Sequence, residues 1–297
     1  MGHHRALIAF RRQLVTLFYL LSSASAVGIE PSEYNFLISP ASRELSQKSV
    51  RTIFQDSQGF MWFLTQEGLN RFDGYTVIKF RASNQDDSSI SHQSITGIVE
   101  DARGYLWIST AGGGLNRYDP GTQTFEAVRS QDTINSSAPL SDSIFGVFLD
   151  SSGQIWLGYD NGIGFSRFDP KSSEFTHFPP DSRNSLTKFV SFAEQPSGVI
   201  WAVAENLGLL RINSSDYSSE RVALTDSSGV EISLRRPTHI MVDSRGDLWI
   251  SSLEEGLIRY SPAVKKVTRF QENSSQTSID SSNDVYVSME DSVGNVW

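Results

Sequence analysis

The stretch 101–107 (DARGYLW) indicates the fold class, because variants of it recur from residue 56 to residue 297. Each copy has a glycine three residues before its tryptophan and, with one exception, an aspartate six residues before it. The exception is Gln195, which stands six residues before Trp201. The copies end at Trp62, Trp107, Trp156, Trp201, Trp249 and Trp297, with spacings of 45, 49, 45, 48 and 48 residues. A fixed period of this length indicates one supersecondary unit repeated in tandem.

Each repeat divides into four short strands separated by turn residues. In the second repeat these strands are predicted at 94–100, 105–110, 115–118 and 124–128, where β-branched and aromatic residues are frequent. Four antiparallel strands in about 45 residues are typical of a propeller blade. The sequence therefore predicts an all-β fold, a β-propeller over residues 49–297 with five complete blades and the beginning of a sixth, incomplete at the C-terminus.

The residues that recur in every blade are predicted to be structural. A stacking interface needs the same aromatic residue in each blade, whereas a binding site does not, so the tryptophans are expected to pack between blades. Arginines of the third strands are expected to tie neighbouring blades together by charge-assisted hydrogen bonds. They are Arg71, Arg117, Arg167, Arg211 and Arg259. Small residues are frequent four positions before the turn carboxylate, where strands crowd around the axis, and His239 departs from this pattern.

The N-terminus is predicted to lie outside the propeller. Residues 1–26 have a basic beginning, an apolar stretch at 14–21 and small residues at 24–26, the pattern of a secretory signal peptide. An uncleaved membrane anchor is the alternative. Residues 27–48 form an N-terminal segment, in which 33–38 (EYNFLI) is predicted to be a ring-closing strand. The mature chain is therefore expected to be exported.

Composition excludes several classes of function. The chain has 25 Lys and Arg against 34 Asp and Glu, a formal net charge of −9, and no basic cluster that indicates nucleic-acid binding. It has no cysteine, which excludes disulfides, thiol nucleophiles and thiolate metal sites. No metal-ligand spacing is recognisable among the carboxylates, and no cofactor is expected.

Candidate ligand-binding residues lie in the loops of one face and near the central channel. Loops that join the second and third strands share a face with the long connections between blades, and such loops commonly carry function. The candidates there are Glu67, Tyr159, Asp160, Asn161, Glu205, Asn206, Glu254 and Glu255. They form an acidic and amide rim able to hydrogen-bond a polyhydroxylated ligand, or else ordinary solvated loops. His239 is the channel candidate, as a structural histidine or as a base that would need an orienting partner.

The combined motif resembles the two-component regulator propeller repeat. Its elements are D-x-x-G-x-x-W followed by G-L-x-R-Y/F-D, and the opening stretch 45–56 (LSQKSVRTIFQD) is similar to the first repeat of that family. The stretch 59–62 running on to 68–75 is similar to it as well. The resemblance covers essentially the whole mature chain. The fourth repeat departs from it, since Gln195 and Pro196 replace the aspartate turn.

The resemblance implies a periplasmic sensor region of a transmembrane receptor. In that family, often two seven-bladed propellers precede an immunoglobulin-like domain, a membrane helix and a histidine kinase or diguanylate cyclase. It implies that this region is not an enzyme and that it responds to a carbohydrate or other small polar ligand. It also implies a receptor that contacts the membrane through a downstream helix and can form a homodimer. Two alternatives stay open: a secreted lyase or lactonase that uses His239 with rim carboxylates, and a protein-interaction scaffold.

Overall fold

The computed structural model describes residues 40–131, 135–160, 162–178, 188–213, 216–234, 236–271 and 283–297. The predicted signal peptide and the predicted closing strand 33–38 lie outside these residues, so both stay predictions. A short 3₁₀ helix, Pro40–Arg43, comes first and is followed by strands throughout. No helix in the described ranges is long and apolar enough to cross a membrane.

Twenty strands in the described residues form five blades of four. Blade 1 has β1 (Thr52–Gln55), β2 (Met61–Thr65), β3 (Gly68–Phe72) and β4 (Val77–Phe80); blade 2 has β5 (Ile95–Glu100), β6 (Leu106–Thr110), β7 (Leu115–Asp119) and β8 (Thr124–Val128). Blade 3 has β9 (Ile144–Leu149), β10 (Ile155–Tyr159), β11 (Phe165–Asp169) and β12 (Glu174–Phe178); blade 4 has β13 (Phe189–Glu194), β14 (Ile200–Ala204), β15 (Gly208–Ile212) and β16 (Ser219–Val222). Blade 5 has β17 (Pro237–Val242), β18 (Leu248–Ser252), β19 (Gly256–Ser261) and β20 (Lys266–Phe270).

Every blade is a separate antiparallel sheet whose strands follow chain order. The register also repeats, since the tryptophan of each second strand pairs with the arginine of the third, as Trp107 pairs with Arg117. Residues 283–297 begin a sixth unit, in which Met289 and Trp297 exchange two backbone hydrogen bonds of 3.1 and 2.8 Å. The predicted all-β propeller of four-stranded antiparallel blades, incomplete at the C-terminus, is confirmed within the described residues.

The hydrophobic core lies between consecutive blades. Four buried clusters follow one another along the chain, and each joins side chains of two neighbouring blades. The ring of Trp62 lies 5.2 Å from that of Tyr118 in blade 2, and the ring of Trp201 lies 6.1 Å from that of Tyr260 in blade 5. For Trp62, Trp107, Trp156 and Trp201 the predicted packing between blades is confirmed, since each lies in a buried cluster that joins two blades.

Each tryptophan also has a polar function that its position alone did not predict. The indole N–H of Trp107 donates to Asp101 Oδ2 over 3.0 Å, while Oδ1 of the same carboxylate accepts the backbone N–H of Arg103 at 2.9 Å and of Tyr105 at 3.2 Å. One carboxylate therefore fixes the turn and satisfies the buried indole donor. The same indole bond occurs in the other repeats, at 2.7 to 3.0 Å.

The third-strand arginines divide into two groups. Arg71 donates to Tyr118 of the next blade over 3.3 Å, and Arg167 donates to Tyr217 of the next blade, as predicted. For the other three the prediction is wrong, because an acidic residue of the same blade is nearer. Those pairs are Arg117–Glu126, Arg211–Glu220 and Arg259–Asp247, at 2.6, 3.1 and 3.4 Å. The first two are direct cross-strand neighbours, which explains the local pairing.

A second set of polar contacts joins blades at the lower face, which carries the turns between first and second strands. The serine after the turn aspartate donates its N–H and hydroxyl to a glutamate that ends the innermost strand of the next blade. For Ser151 and Glu194 these bonds are 2.7 and 2.8 Å. The same contact joins Ser57 to Glu100 and Ser244 to Glu290. Where the serine is replaced by Ala102 or Pro196, the next blade has Leu149 or Val242 instead of glutamate.

Candidate functional site

The upper face carries the turns between second and third strands and the connections between blades. In blades 2, 4 and 5 the connection is fastened to its own blade just before the innermost strand begins. Ala111 N–H donates to Ser94 O over 3.0 Å, Glu205 N–H to Lys188 O over 2.9 Å, and Leu253 N–H to Arg236 O over 3.0 Å. The predicted rim therefore rests on turns whose backbone is held by the sheets.

Three of the predicted rim carboxylates form ion pairs within the upper face. Glu254 lies 3.3 Å from Arg236, Glu255 contacts Arg269, and Glu205 lies 4.0 Å from Lys188. Such partly exposed pairs contribute little to stability. They do, however, reduce the negative charge that these carboxylates offer to a ligand.

Other rim candidates stay open to solvent. Glu67 and Asp160 are exposed, and no ion pair within the described residues reaches either side chain. Asn206 is exposed at the turn after β14 with φ of 63°, a left-handed conformation that asparagine tolerates well. Asn161 lies outside the described residues. Glu67, Asp160 and Asn206 can therefore meet a solute, whereas Asn161 stays a prediction.

Tyr159 is not a rim residue, which corrects its assignment to a loop. Strand β10 extends through Tyr159, whose side chain is 0% exposed. Its hydroxyl donates to Ser166 Oγ over 3.0 Å and accepts the N–H of Leu140 over 3.2 Å. Burial raises the pKa of Tyr159 to about 12. The apolar packing of its ring therefore assigns it to the core between blades, where its hydroxyl is satisfied.

His239 lies on β17, opposite Ser251. Because directly paired residues face the same side of a sheet, the imidazole shares that side with Ser251, whose Oγ lies 3.2 Å from Ser288 Oγ of the sixth unit. Burial lowers the pKa of His239 to about 4, so the ring is neutral at pH 7. Its Nδ1 is buried and has no hydrogen-bond partner among the described residues. The orienting partner that a catalytic base requires is therefore missing from this environment.

The innermost strands of blades 2 to 5 contain a β-bulge that the sequence pattern did not predict. One residue in each strand is skipped by the pairing. These bulge residues are Thr96, Phe145, Val190 and Thr238. Thr96 Oγ1 donates to Ile144 O over 2.6 Å, and Thr238 Oγ1 donates to Val285 O over 2.8 Å, so both reach the unit that follows along the chain. Bulges of this kind redirect side chains, here toward the neighbouring blade near the axis.

Phe145, Lys188 and Glu205 form what we term the channel-mouth cluster. Lys188 directly precedes the innermost strand of blade 4, and its Nζ lies 3.8 Å from the centroid of the Phe145 ring of blade 3. The same Nζ lies 4.0 Å from Glu205 Oε1, and the two charged side chains are 25% and 40% exposed. The cluster combines an aromatic surface, a cation and a carboxylate at the upper end of the innermost strands. Among the described residues, no group of three His, Cys, Asp or Glu side chains has the geometry of a metal site.

These features define an array of propeller blades with a polar loop face. Two segments, 44–67 and 89–112, match the family model described as two component regulator propeller. The predicted resemblance to the two-component regulator propeller repeat is confirmed for these two segments. A stretch of 82 residues is 35% identical to a protein named histidine kinase P4 of Formosa agariphila, and the match covers 27% of this chain and 6% of that protein.

Solved structures show the same fold. The extracellular domain of a putative hybrid two component system from B. thetaiotaomicron superposes with a TM-score of 0.65 at 21% identity, over 85% of this chain and 39% of that one. A catalytically inactive virginiamycin B lyase from Staphylococcus aureus superposes with a TM-score of 0.55 at 14% identity, over 76% of this chain and 72% of that one. At these identities the likeness concerns fold alone. The chain spans under half the length of the two-component relative.

Proposed function

We propose that this chain is the ligand-sensing part of a longer transmembrane signalling receptor, with a kinase or cyclase output outside the given residues. The observation that carries the proposal is the repeat itself, which matches the two component regulator propeller model in two segments. The partial match to a histidine kinase supports the same function. The predicted signal peptide and the likeness to an extracellular domain support a periplasmic location.

The proposed ligand is a small polar molecule, with an oligosaccharide as the first candidate. Support comes from the upper face, where the exposed carboxylates of Glu67 and Asp160 have no ion-pair partner in the described ranges. Ionised carboxylates accept hydrogen bonds, and sugar hydroxyls donate them. Turns that are fastened to rigid sheets lower the entropic cost of ordering such contacts.

A lyase-type enzyme is the competing function, and His239 argues against it. The fold likeness to virginiamycin B lyase is shared by propellers in general and does not carry an activity. Burial lowers the pKa of His239 to about 4, which makes its imidazole a weak base, and its buried Nδ1 has no orienting partner among the described residues. An interaction scaffold has no specific observation in its favour.

The proposal is tested by ligand screening on the upper face. Purified chain is assayed by thermal shift against a set of oligosaccharides, and hits are measured by titration calorimetry. Glu67→Gln or Asp160→Asn is expected to weaken binding about tenfold, because a charged acceptor is lost. Glu174→Gln, on the exposed outer strand β12, is the matched control and is expected to bind normally.

A second arm examines the receptor context. The gene is sequenced beyond Trp297 and the full-length product is tested for ligand-dependent phosphoryl transfer or cyclic dinucleotide synthesis. Absence of a membrane helix and an output domain, together with no saccharide that shifts the melting temperature, would contradict the proposed function.

A further inference from the structure

We propose that the channel-mouth cluster binds the carboxylate of a ring-shaped acid, with Lys188 as the anion contact and Phe145 as the packing surface. This inference rests on the proposed sensing function, because it specifies the chemical class of the ligand at the upper face. Its starting point is the bulge in β9, where Tyr159 pairs with Ile144 and Gly158 pairs with Gly146, so that Phe145 is skipped. A large aromatic side chain is thereby placed where blades 2 and 5 have threonine.

Lys188 has hydrogen-bonding capacity that the described residues do not use. An ammonium group has three donors. Among the described residues its nearest carboxylate oxygen, on Glu205, is 4.0 Å away, which is beyond hydrogen-bond distance, and no hydrogen bond from Nζ to a described residue is present. The side chain is three-quarters removed from solvent and held over the Phe145 ring at 3.8 Å. A positioned, partly desolvated ammonium whose donors the described residues do not use forms strong charge-assisted bonds to an anionic oxygen.

Phe145 and Glu205, the other two members of the cluster, restrict the chemical structure of the ligand. Phe145 is half-buried, so it leaves an apolar ring surface against which a planar ring or the apolar face of a sugar can pack. Glu205 is fastened by its N–H to Lys188 O over 2.9 Å and leaves 40% of its side chain exposed. It can accept a bond from a ligand hydroxyl, and it repels a second negative charge. The part of the ligand that meets this cluster therefore has one carboxylate, a ring and at least one hydroxyl.

A cationic ligand does not fit this site. It would have to displace the tethered Lys188 from the aromatic ring, and the tether gives the lysine a high effective concentration there. The overall charge of −9 disfavours anions at long range, but salt screens that effect beyond about 10 Å. Contact with the Lys188 ammonium group therefore determines the preference for an anionic ligand.

Two compound pairs test the inference on the full chain by titration calorimetry. Methyl glucuronide is compared with methyl glucoside, and 4-hydroxyphenylacetate with 4-hydroxyphenylethanol, so the arms distinguish a sugar acid from an aromatic acid. The acid of one pair is expected to bind at least about tenfold tighter than its neutral partner. Lys188→Met should abolish that difference, and Lys188→Arg should keep most of it. Phe145→Leu should weaken both members of the pair.

Lys266→Met is the matched control, because it removes an exposed lysine on the outer strand β20 of another blade. This variant should bind each compound as the original protein does. Equal affinity for acid and neutral compounds, unchanged in Lys188→Met, overturns the inference and leaves the sensing proposal standing. Binding of neither acid also overturns it, while the oligosaccharide screen continues to test sensing independently. Lys188-dependent binding of the aromatic acid alone supports the inference and argues against a sugar ligand. Near-ultraviolet circular dichroism checks that each variant is folded.

Discussion

The indole N–H of Trp201 donates to the side-chain oxygen of Gln195 over 3.0 Å, in the one repeat where glutamine replaces the turn aspartate. The amide nitrogen of the same glutamine donates to Gly246 O of the next blade over 2.8 Å. One side chain therefore accepts the indole bond, as the aspartate does in the other repeats, and also joins two blades. Pro196 follows it and has no N–H, so it cannot make the contact that serine and glutamate make elsewhere on the lower face. The bond from Gln195 to Gly246 provides a different contact between the two blades.

Replacement of Gln195 by leucine is expected to destabilise the chain by about 2–3 kcal/mol, because it leaves the buried indole donor without an acceptor and also removes the bond to Gly246. Gln195→Glu keeps an acceptor for Trp201 and loses the donor to Gly246, so it should cost less. Urea unfolding followed by tryptophan fluorescence measures both. Equal midpoints for the two variants would show that the indole bond contributes nothing.

The tryptophans should differ in their contribution to stability according to the blade that follows them. Trp201 is 2% exposed against blade 5, whereas Trp249, which faces the partial sixth unit, is half-buried. Trp201→Phe is therefore expected to cost roughly 2–3 kcal/mol and Trp249→Phe about 1 kcal/mol, since less packing is lost at the second site. Urea midpoints provide the comparison, with Trp249 emission shifted to longer wavelength as a check on its environment. A larger loss for Trp249→Phe would contradict the packing order.

The repeat period made the architecture predictable, because one phrase recurring six times fixes strand number, turn positions and the place of each tryptophan. The choice of partner by each third-strand arginine was not predictable. Glu126 and Glu220 capture Arg117 and Arg211 because they are cross-strand neighbours, which depends on pairing register. Site residues were predicted less well. Tyr159 belongs to the core because β10 runs one residue further than its turn signals indicated, and Phe145 was missed because a bulge depends on backbone geometry that one sequence does not reveal.

His239 is expected to make stability depend on pH. Burial lowers its pKa from 6.5 to about 4, so the folded state binds fewer protons than the unfolded state between those values. The stabilising contribution is therefore complete above pH 6.5 and is lost as pH falls toward 4, by up to about 3 kcal/mol. Urea midpoints at pH 5 and pH 7 should differ more for the original protein than for His239→Gln. Identical pH profiles would show that the imidazole is not desolvated.

The lower-face contacts should behave as coupled pairs. Ser151→Ala and Glu194→Ala each remove the bond between the serine hydroxyl and the carboxylate, and a double-mutant cycle should give a coupling of about 0.5–1 kcal/mol because the pair is exposed. Blades 2 and 3 offer the matched control, since Ala102 and Leu149 occupy the same two positions without polar groups. Installing Ala102→Ser together with Leu149→Glu should create a coupling of the same sign. Additive effects in both cycles would contradict a direct contact.

Close approach of the innermost strands makes Gly97 sensitive to a single added methyl group. A Cβ built there lies 2.4 Å from Val147 Cγ1 of the next blade and 3.0 Å from Ser109 Oγ, so Gly97→Ala forces neighbouring atoms apart. We expect a cost of about 1–3 kcal/mol from this overpacking. Val147→Ala removes the clashing methyl groups at its own cost in packing, and the double variant should be clearly more stable than the sum of the two changes predicts. Thermal unfolding of the four proteins measures the coupling, and a double variant that is merely additive would mean that the two strands do not meet at this point.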